Sequence, residues 1–397
     1  MSPDSDRKWL ALVLLCAVQF MVVLDVAIVN VALPTIKNAL DFSDANLAMR
    51  GHTTPAVVAA SLALAERRQA SGRELLTAIV AGIEMECRVG LLMQPTHLRW
   101  GFHPTGNTAP FGAAAASAWL LGLDEGQWPH ALGIAATQAA GLLASGGTMS
   151  KPFHSGKAAT NGVMAASLAQ RGFLARADAI EAREGFLDTH ATGRNEELLF
   201  ASRGRYYVLD TVFKAHAACQ LTHSSIENML KLKREHDVRP DDVEAIELEV
   251  PTRHLGVCNI LEPKTGLEGK FSLRATAAMA LLGDDTRDIA AYNAERLRHP
   301  DLVKLRDRVT VTPRDDLLAA TSIGTLKLRD GRHVSATTDT YEPLRDLPLQ
   351  LDIITRKFFS LVTPILGAGG AKRLCATIMG ADRLESVQPL LELSRKS

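Results

Sequence analysis

Stretches of consecutive small residues set the tightest limit on how this chain can fold. Phe111 to Leu123 reads FGAAAASAWLLGL, and Ala131 to Leu143 and Ala158 to Gln170 have the same character. A helix surfaced mainly by alanine and glycine has little apolar area per residue. It becomes stable only where neighbouring backbones approach closely. Such text predicts a layer of tightly packed helices. Pro55 opens PAVVAASLALAERRQA, with apolar residues at helical spacing and charge gathered at the end. Ser71-Gly-Arg-Glu74 has a capping-box pattern and opens RELLTAIVAGIEMECRVGLL. There the hydroxyl and the carboxylate satisfy N–H groups that a helix start leaves free.

Near Tyr206 the text changes. Ser224-Ser-Ile-Glu227 is a second capping-box pattern and predicts a helix through IENMLKLKREH. Val243 to Val250 alternates apolar and charged residues, as a half-buried strand does. Val309 to Thr312 and Gly324 to Leu328 are strand-like, and Asp330-Gly331 predicts a hairpin turn with HVSATT as the return strand. After Pro343 the pattern is helical again, in LDIITRKFFSLV and MGADRLESVQPLLELS. The 397 residues exceed one ordinary domain. The expected division is residues 41–205 as a helical domain, 206–341 as a smaller α/β domain, and 342–397 as helices returning to the first. The fold class is therefore mostly α with an α+β second domain.

Several function classes drop out. Lys+Arg and Asp+Glu are both 44, so there is no basic excess to bind nucleic acid. Only 5% of residues are aromatic, too few for base-stacking platforms. Cys16, Cys87, Cys219, Cys258 and Cys375 form no CxxC pair, and their number is odd. That usage suits a reducing compartment and argues against a disulfide framework. No metal is implied, because the histidines lack ligand spacing and no carboxylate cluster accompanies them.

Residues 1–40 are out of character. Trp9 to Leu33 is mostly apolar, carries no charge apart from Asp25, and is long enough to span hydrocarbon, with Arg7 and Lys8 before it. Membrane contact through residues 9–33 is one reading. A signal peptide is another, although no small-x-small site closes the run. A lipoprotein site at Cys16 is a third, set back by the bulky Leu15 before it. Met21 to Ile36, MVVLDVAIVNVALPTI, resembles the first transmembrane helix of major-facilitator drug/proton antiporters through Asp25, Asn30 and the ALP exit. One such helix cannot form an alternating-access transporter.

Among 12 histidines, a few sit in unusual settings. His52 stands before the Pro55 helix in RGHTTP. His103 lies in the Gly/Pro loop GFHPTG. Ser145 to Lys157 reads as a flexible turn carrying Lys151, His154 and Lys157. Helix N-termini attract carboxylates, a lysine adds charge, and histidine titrates where it can move a proton. Each residue has a plainer reading as well, as a capping histidine or a solvated cation. No HExxH, GxSxG, Walker or GxGxxG motif is present.

Taken in order, DFSDANLAMRGHTTPAV, GFHPTGNTAPFGAAAASAWLLGL, SKPFHSGKAATNGVMAA, FKAHAACQLTHSSIE and GLEGKFSLRATAAMALL resemble the MmgE/PrpD family from about Asp41 onward. The resemblance implies a large helical domain completed by C-terminal helices, an α/β lid, and a site between them. It implies metal-free, cofactor-free chemistry on a small di- or tricarboxylate, usually in a homodimer. By motif, Lys151, His103, His52 and Asp41 correspond to the catalytic set. His154, Lys214 in FK and Lys270 in KFS correspond to substrate-binding positions. The sequence departs from the family at Ala45, where a threonine is usual, and at Arg274-Ala275, where a tyrosine is usual. The lost hydroxyls count against the ordinary dehydratase and decarboxylase members and favour an epimerase or other subgroup. The family also carries further helical residues before the Asp41 motif, so the helical domain is expected to be N-terminally truncated, with a junction near Ala39 to Leu47.

The expected activity is that of a lyase or isomerase. It abstracts a proton next to a carboxylate, and then water is lost, carbon dioxide is lost, or the proton returns on the other face. Lys151 and His103 would be base and acid in an unassigned order, with His52 and Asp41 orienting substrate or relaying a proton. The enzyme body is expected in the cytoplasm. The rival reading is an inactive, membrane-anchored fusion of a transporter fragment with a truncated enzyme.

Overall fold

The computed structural model describes residues 43–93, 101–146, 148, 150–191, 193–200, 204, 206–341 and 346–394. Asp41 and the apolar run Trp9 to Leu33, with Asp25 and Asn30, lie outside the described residues. Among the described residues, no helix is long and apolar enough to cross a membrane. The chain divides into two compact units at Phe213/Lys214 and again at Pro343/Leu344.

The first unit begins with a two-residue strand, β1 (Ala45–Asn46). It is followed by α1 (Thr54–Arg68), α2 (Gly72–Leu92), α3 (Pro104–Leu121), α4 (Trp128–Ala136), α5 (Ser150–Gln170), the short α6 (Phe186–His190), and β2 (Thr211–Val212). Strand β2 pairs antiparallel with β1, Ala45 opposite Val212. That pairing is why residues 206–213 belong to this unit, although the change of text near Tyr206 suggested an earlier boundary. It also ties the described part of the Ala39–Leu47 junction into the helical fold.

The small-residue helices do pack closely. Ala56 and Ala60 of α1, Ala109 and Ala113 of α3, and Ala158 and Ala159 of α5 form one buried cluster. The Ser71 capping box is present, Ser71 Oγ accepting from Glu74 N and Glu74 accepting from Ser71 N at 2.8 Å. Helix α4 ends at Ala136, well before the predicted Leu143, and the backbone turns through Gly141 at φ +146°. The expected flexible turn at Ser145–Lys157 is instead largely the first two turns of α5. Pro152 does not prevent this, because first-turn N–H groups have no intrahelical partner to lose.

The second unit contains α7 (His223–His236), β3 (Val243–Pro251), α8 (Leu273–Leu282), α9 (Pro300–Arg306), β4 (Val309–Arg314), β5 (Thr321–Leu328) and β6 (His333–Asp339). The sheet order is β4-β3-β5-β6. Strand β3 runs parallel to β4 and antiparallel to β5, and β5 and β6 form the Asp330-Gly331 hairpin. The parallel pair requires a crossover, which α8 and α9 supply. Val243, Ile246, Leu248 and Val250 are buried, as the alternation predicted. Helix α7 starts at His223 without a side-chain cap. Glu227, expected in a capping box, binds His216 at 2.8 Å instead.

The chain then re-enters the first unit through α10 (Leu347–Met379), which breaks at Gly367 (φ +70°, ψ 164°), and α11 (Gln388–Ser394). Ile354, Phe358, Val362, Leu374 and Ile378 of α10 share a core with Leu75, Ile79 and Ile83 of α2. Gly72 N donates to Leu384 O, and Val387 N donates to Ala70 O, both at 2.9 Å.

Candidate active site

Three of the sequence-selected residues meet at adjoining helix starts in the first unit. His103 is the N-cap residue of α3, with extended backbone (φ −80°, ψ 115°) and no side-chain capping bond. Its ring is therefore available for another partner. His103 Nδ1 lies 3.0 Å from His154 Nδ1 on the first turns of α5. Only one nitrogen of such a contact can donate, so the two rings hold complementary tautomers. His103 is 5% exposed. Burial, with lesser contributions from the charges of Lys151 and His154, pushes its pKa down to about 3. His154 is lowered by burial first and by Lys151 second. Burial chiefly keeps the pair neutral, and the Lys151 ammonium adds to it at both rings.

Backbone pairing holds the His103 loop. His103 N donates to Gly141 O at 2.9 Å, and Leu143 N donates to Gly101 O at 2.8 Å. A bridge joins Phe102 and Leu142. Below it, Phe102 stacks on His190 with ring centroids 4.6 Å apart. His190 stacks on Phe186 at 4.4 Å, and Phe186 meets Phe111 edge-on at 4.7 Å. His190 had no role in the sequence reading; nothing in FLDTH announces that its ring completes a column rooted in the α3 core.

Gly141 is the narrow point of this arrangement. A Cβ there would stand 3.2 Å from His154 Nδ1 and 3.3 Å from Gly106 Cα, on a backbone at φ +146°. Gly141→Ala is expected to destabilise the protein by about 1–3 kcal/mol, from backbone strain alone. It should also separate the His103 and His154 rings. Urea denaturation measures the first effect, and loss of the shared proton signal in imidazole NMR measures the second.

His52 precedes α1. Its N–H donates to Thr105 Oγ1 at 3.1 Å, which ties it to the first turn of α3, next to His103. Its Nδ1 lies 2.6 Å from the main-chain oxygen of Asp44.

Lys214 and Lys270 belong to the second unit and are almost fully buried, each 4% exposed. Lys270 O accepts from Cys219 N at 2.9 Å, and its ammonium lies 5.7 Å from the Tyr292 ring centroid. The same segment carries His216, which contacts Glu227 Oε1 and Thr286 Oγ1, each at 2.8 Å. His216 holds the Glu227 carboxyl below its usual range. His216 also packs edge-on against His223 at 5.0 Å. Both histidines stand in the FKAHAACQLTHSSIE motif, yet only the fold shows that they touch.

The MmgE/PrpD N-terminal domain matches residues 26–199, and the MmgE/PrpD C-terminal domain matches residues 216–379. The first match takes in residues 26–36, part of the stretch that the sequence alone had likened to a transporter helix, a likeness the comparisons do not show. Similar proteins include the cis-aconitate decarboxylase of Aspergillus terreus, 28% identical over 379 residues, 88% of this chain and 76% of that protein. The cis-aconitate decarboxylase of Mus musculus is 26% identical over 357 residues, 86% of this chain and 72% of that protein. That of Homo sapiens is 25% identical over 356 residues, 86% of this chain and 73% of that protein. With both domains matched in order over most of its length, the chain belongs to the MmgE/PrpD family.

Proposed function

We propose that this protein is a lyase acting on a small di- or tricarboxylate, with decarboxylation as its reaction. The Lys151–His103–His154 group supports this most directly. It occurs in a chain whose similar relatives carry the name cis-aconitate decarboxylase.

Loss of carbon dioxide breaks a carbon–carbon bond and leaves its electron pair on the substrate, next to a remaining carboxylate. Two things lower the barrier: a cation facing the growing negative charge, and a proton delivered to carbon. Lys151 supplies the first. The neutral histidine pair supplies a path for the second, since a proton can pass along the Nδ1–Nδ1 contact. Lys151 and His103 divide the acid and base roles, and water restores the proton spent on carbon. His52 orients the substrate. Asp41 is proposed as a relay on motif grounds alone. Lys214 and Lys270 are proposed as carboxylate-binding cations; replacing either with alanine should raise KM more than it lowers kcat.

The same proton transfer would serve dehydration or epimerisation, and product analysis separates the three. The full-length protein is incubated with cis-aconitate, and separately with citrate, in D2O and followed by NMR. The expected outcome is release of carbon dioxide from cis-aconitate and one deuterium in a five-carbon dicarboxylate. Absence of both turnover and deuterium exchange with either acid rejects the proposal.

A further inference from the structure

Two fully buried carboxyl groups in the first unit, Asp44 and Glu86, are not used by the chemistry above. Asp44 is fully buried. Its carboxylate accepts from Thr54 N at 3.1 Å and from the hydroxyls of Thr53 and Thr54. Helix α1 receives no cap from Thr53, its own N-cap residue. Asp44 takes that place from the preceding strand edge. Burial pushes the Asp44 pKa up, and the three donors from Thr53 and Thr54 work against that rise; a carboxylate can accept all three at once, and the helix dipole favours its charge there. The main-chain oxygen of Asp44 meets His52 Nδ1. A carbonyl only accepts, so Nδ1 carries the hydrogen and Nε2 presents a lone pair. Asp44 therefore grips both ends of the turn that holds His52.

Glu86 on α2 is also fully buried, and neither of its carboxyl oxygens has a hydrogen-bond partner. It lies against the bare Cα of Gly112, where a Cβ would stand 2.9 Å from Oε2. We propose that Asp44 is the positioning residue for His52, fixing its tautomer and the start of α1, and that Glu86, buried with neither oxygen hydrogen-bonded, is held as a neutral acid. Burial first, and then the charge of Asp44, push the Glu86 pKa well above the usual carboxylate range. Two ionised carboxyls cannot share so dry a site. The kinetic part of this inference rests on His52 facing substrate, as read above; the tautomer does not.

The test is NMR of the full-length protein at pH 7.5, labelled with 15N-histidine and 13C-glutamate. The wild type should show His52 protonated at Nδ1 only, and one glutamate carboxyl carbon at the protonated position that disappears in Glu86→Gln. Glu86→Gln should preserve the His52 tautomer, since both side chains are neutral. Asp44→Asn keeps the main-chain oxygen that fixes the tautomer and loses only the charged acceptor at the start of α1, so it should leave His52 protonated at Nδ1 and lower kcat by about 10–100-fold at unchanged KM, the range for a lost outer partner. A wild-type His52 protonated at Nε2 overturns the proposal, as does Asp44→Asn with unchanged kcat. An ionised Glu86 overturns the second half. If Asp44→Asn does not fold, the wild-type spectra still decide. Absence of any turnover, with the expected spectra, would count against the lyase reading and leave the positioning role standing.

Discussion

Lys151→Ala is expected to lower kcat/KM by about 10²–10⁴-fold while leaving the melting temperature nearly unchanged, the range found for removal of a positioned proton-transfer group. The side chain sits on the first turn of α5, a helix whose buried face is made by Ala158, Ala159, Asn161, Gly162, Ala165, Ala166 and Ala169 further along. Cutting it back removes no core packing. It does remove the positive charge that depresses His103 and His154. Both histidines should then titrate at higher pH, though still below 6.5, because burial remains the larger cause. Lys151→Arg is expected to restore charge but little activity, since guanidinium does not release its proton. Steady-state kinetics, thermal melting and histidine NMR titration check these three outcomes together. A Lys151→Ala enzyme with wild-type kcat/KM would remove Lys151 from the reaction.

The second large effect concerns acid. His103 has a folded-state pKa of about 3 against an ordinary 6.5. Below pH 6.5 the unfolded chain takes up a proton that the folded chain refuses. The stability tied to this group is full above pH 6.5 and declines as pH falls toward 3. At about 1.4 kcal/mol per pKa unit, the loss reaches several kcal/mol, a large part of a typical folding free energy of about 5–15 kcal/mol. His103→Gln should flatten that decline while abolishing turnover. His154 is also lowered, and His254, buried in the second unit, is pushed down to about 4. Both act in the same direction, so part of the slope should survive. Urea midpoints for wild type and His103→Gln between pH 4 and 8 measure the difference. Parallel curves would show that His103 is not held neutral by the fold.

Much of both units was legible in advance. The Ser71 capping box, the Pro55 helix and the Asp330-Gly331 hairpin all depend on contacts between residues a few positions apart, and local chemistry specifies such contacts. Reading failed where a distant partner changed a local preference. Ser145 to Lys157 looked like a turn because glycine, proline and serine crowd it, yet α5 begins there, packed along α3. Glu227 looked like a capping residue, yet His216 claims it. Asp44 looked like one more acid in DFSDAN, yet it caps a helix that starts ten residues later.

The candidate site shows the same division. Its residue types, and their place at loop–helix boundaries, followed from glycine and proline punctuation and from the motifs shared with the family. By itself the amino-acid order determined the helical layers, the alternating strands, and the short set of lysines and histidines able to do acid–base chemistry. Only the tertiary structure decided that His103 touches His154, that a phenylalanine–histidine column steadies their loop, and that Asp44 and Glu86 lie in the dry interior. Secondary structure is set by neighbours along the chain. Protonation is set by the charges and the solvent exposure around a group, and folding assembles that environment from segments far apart in sequence.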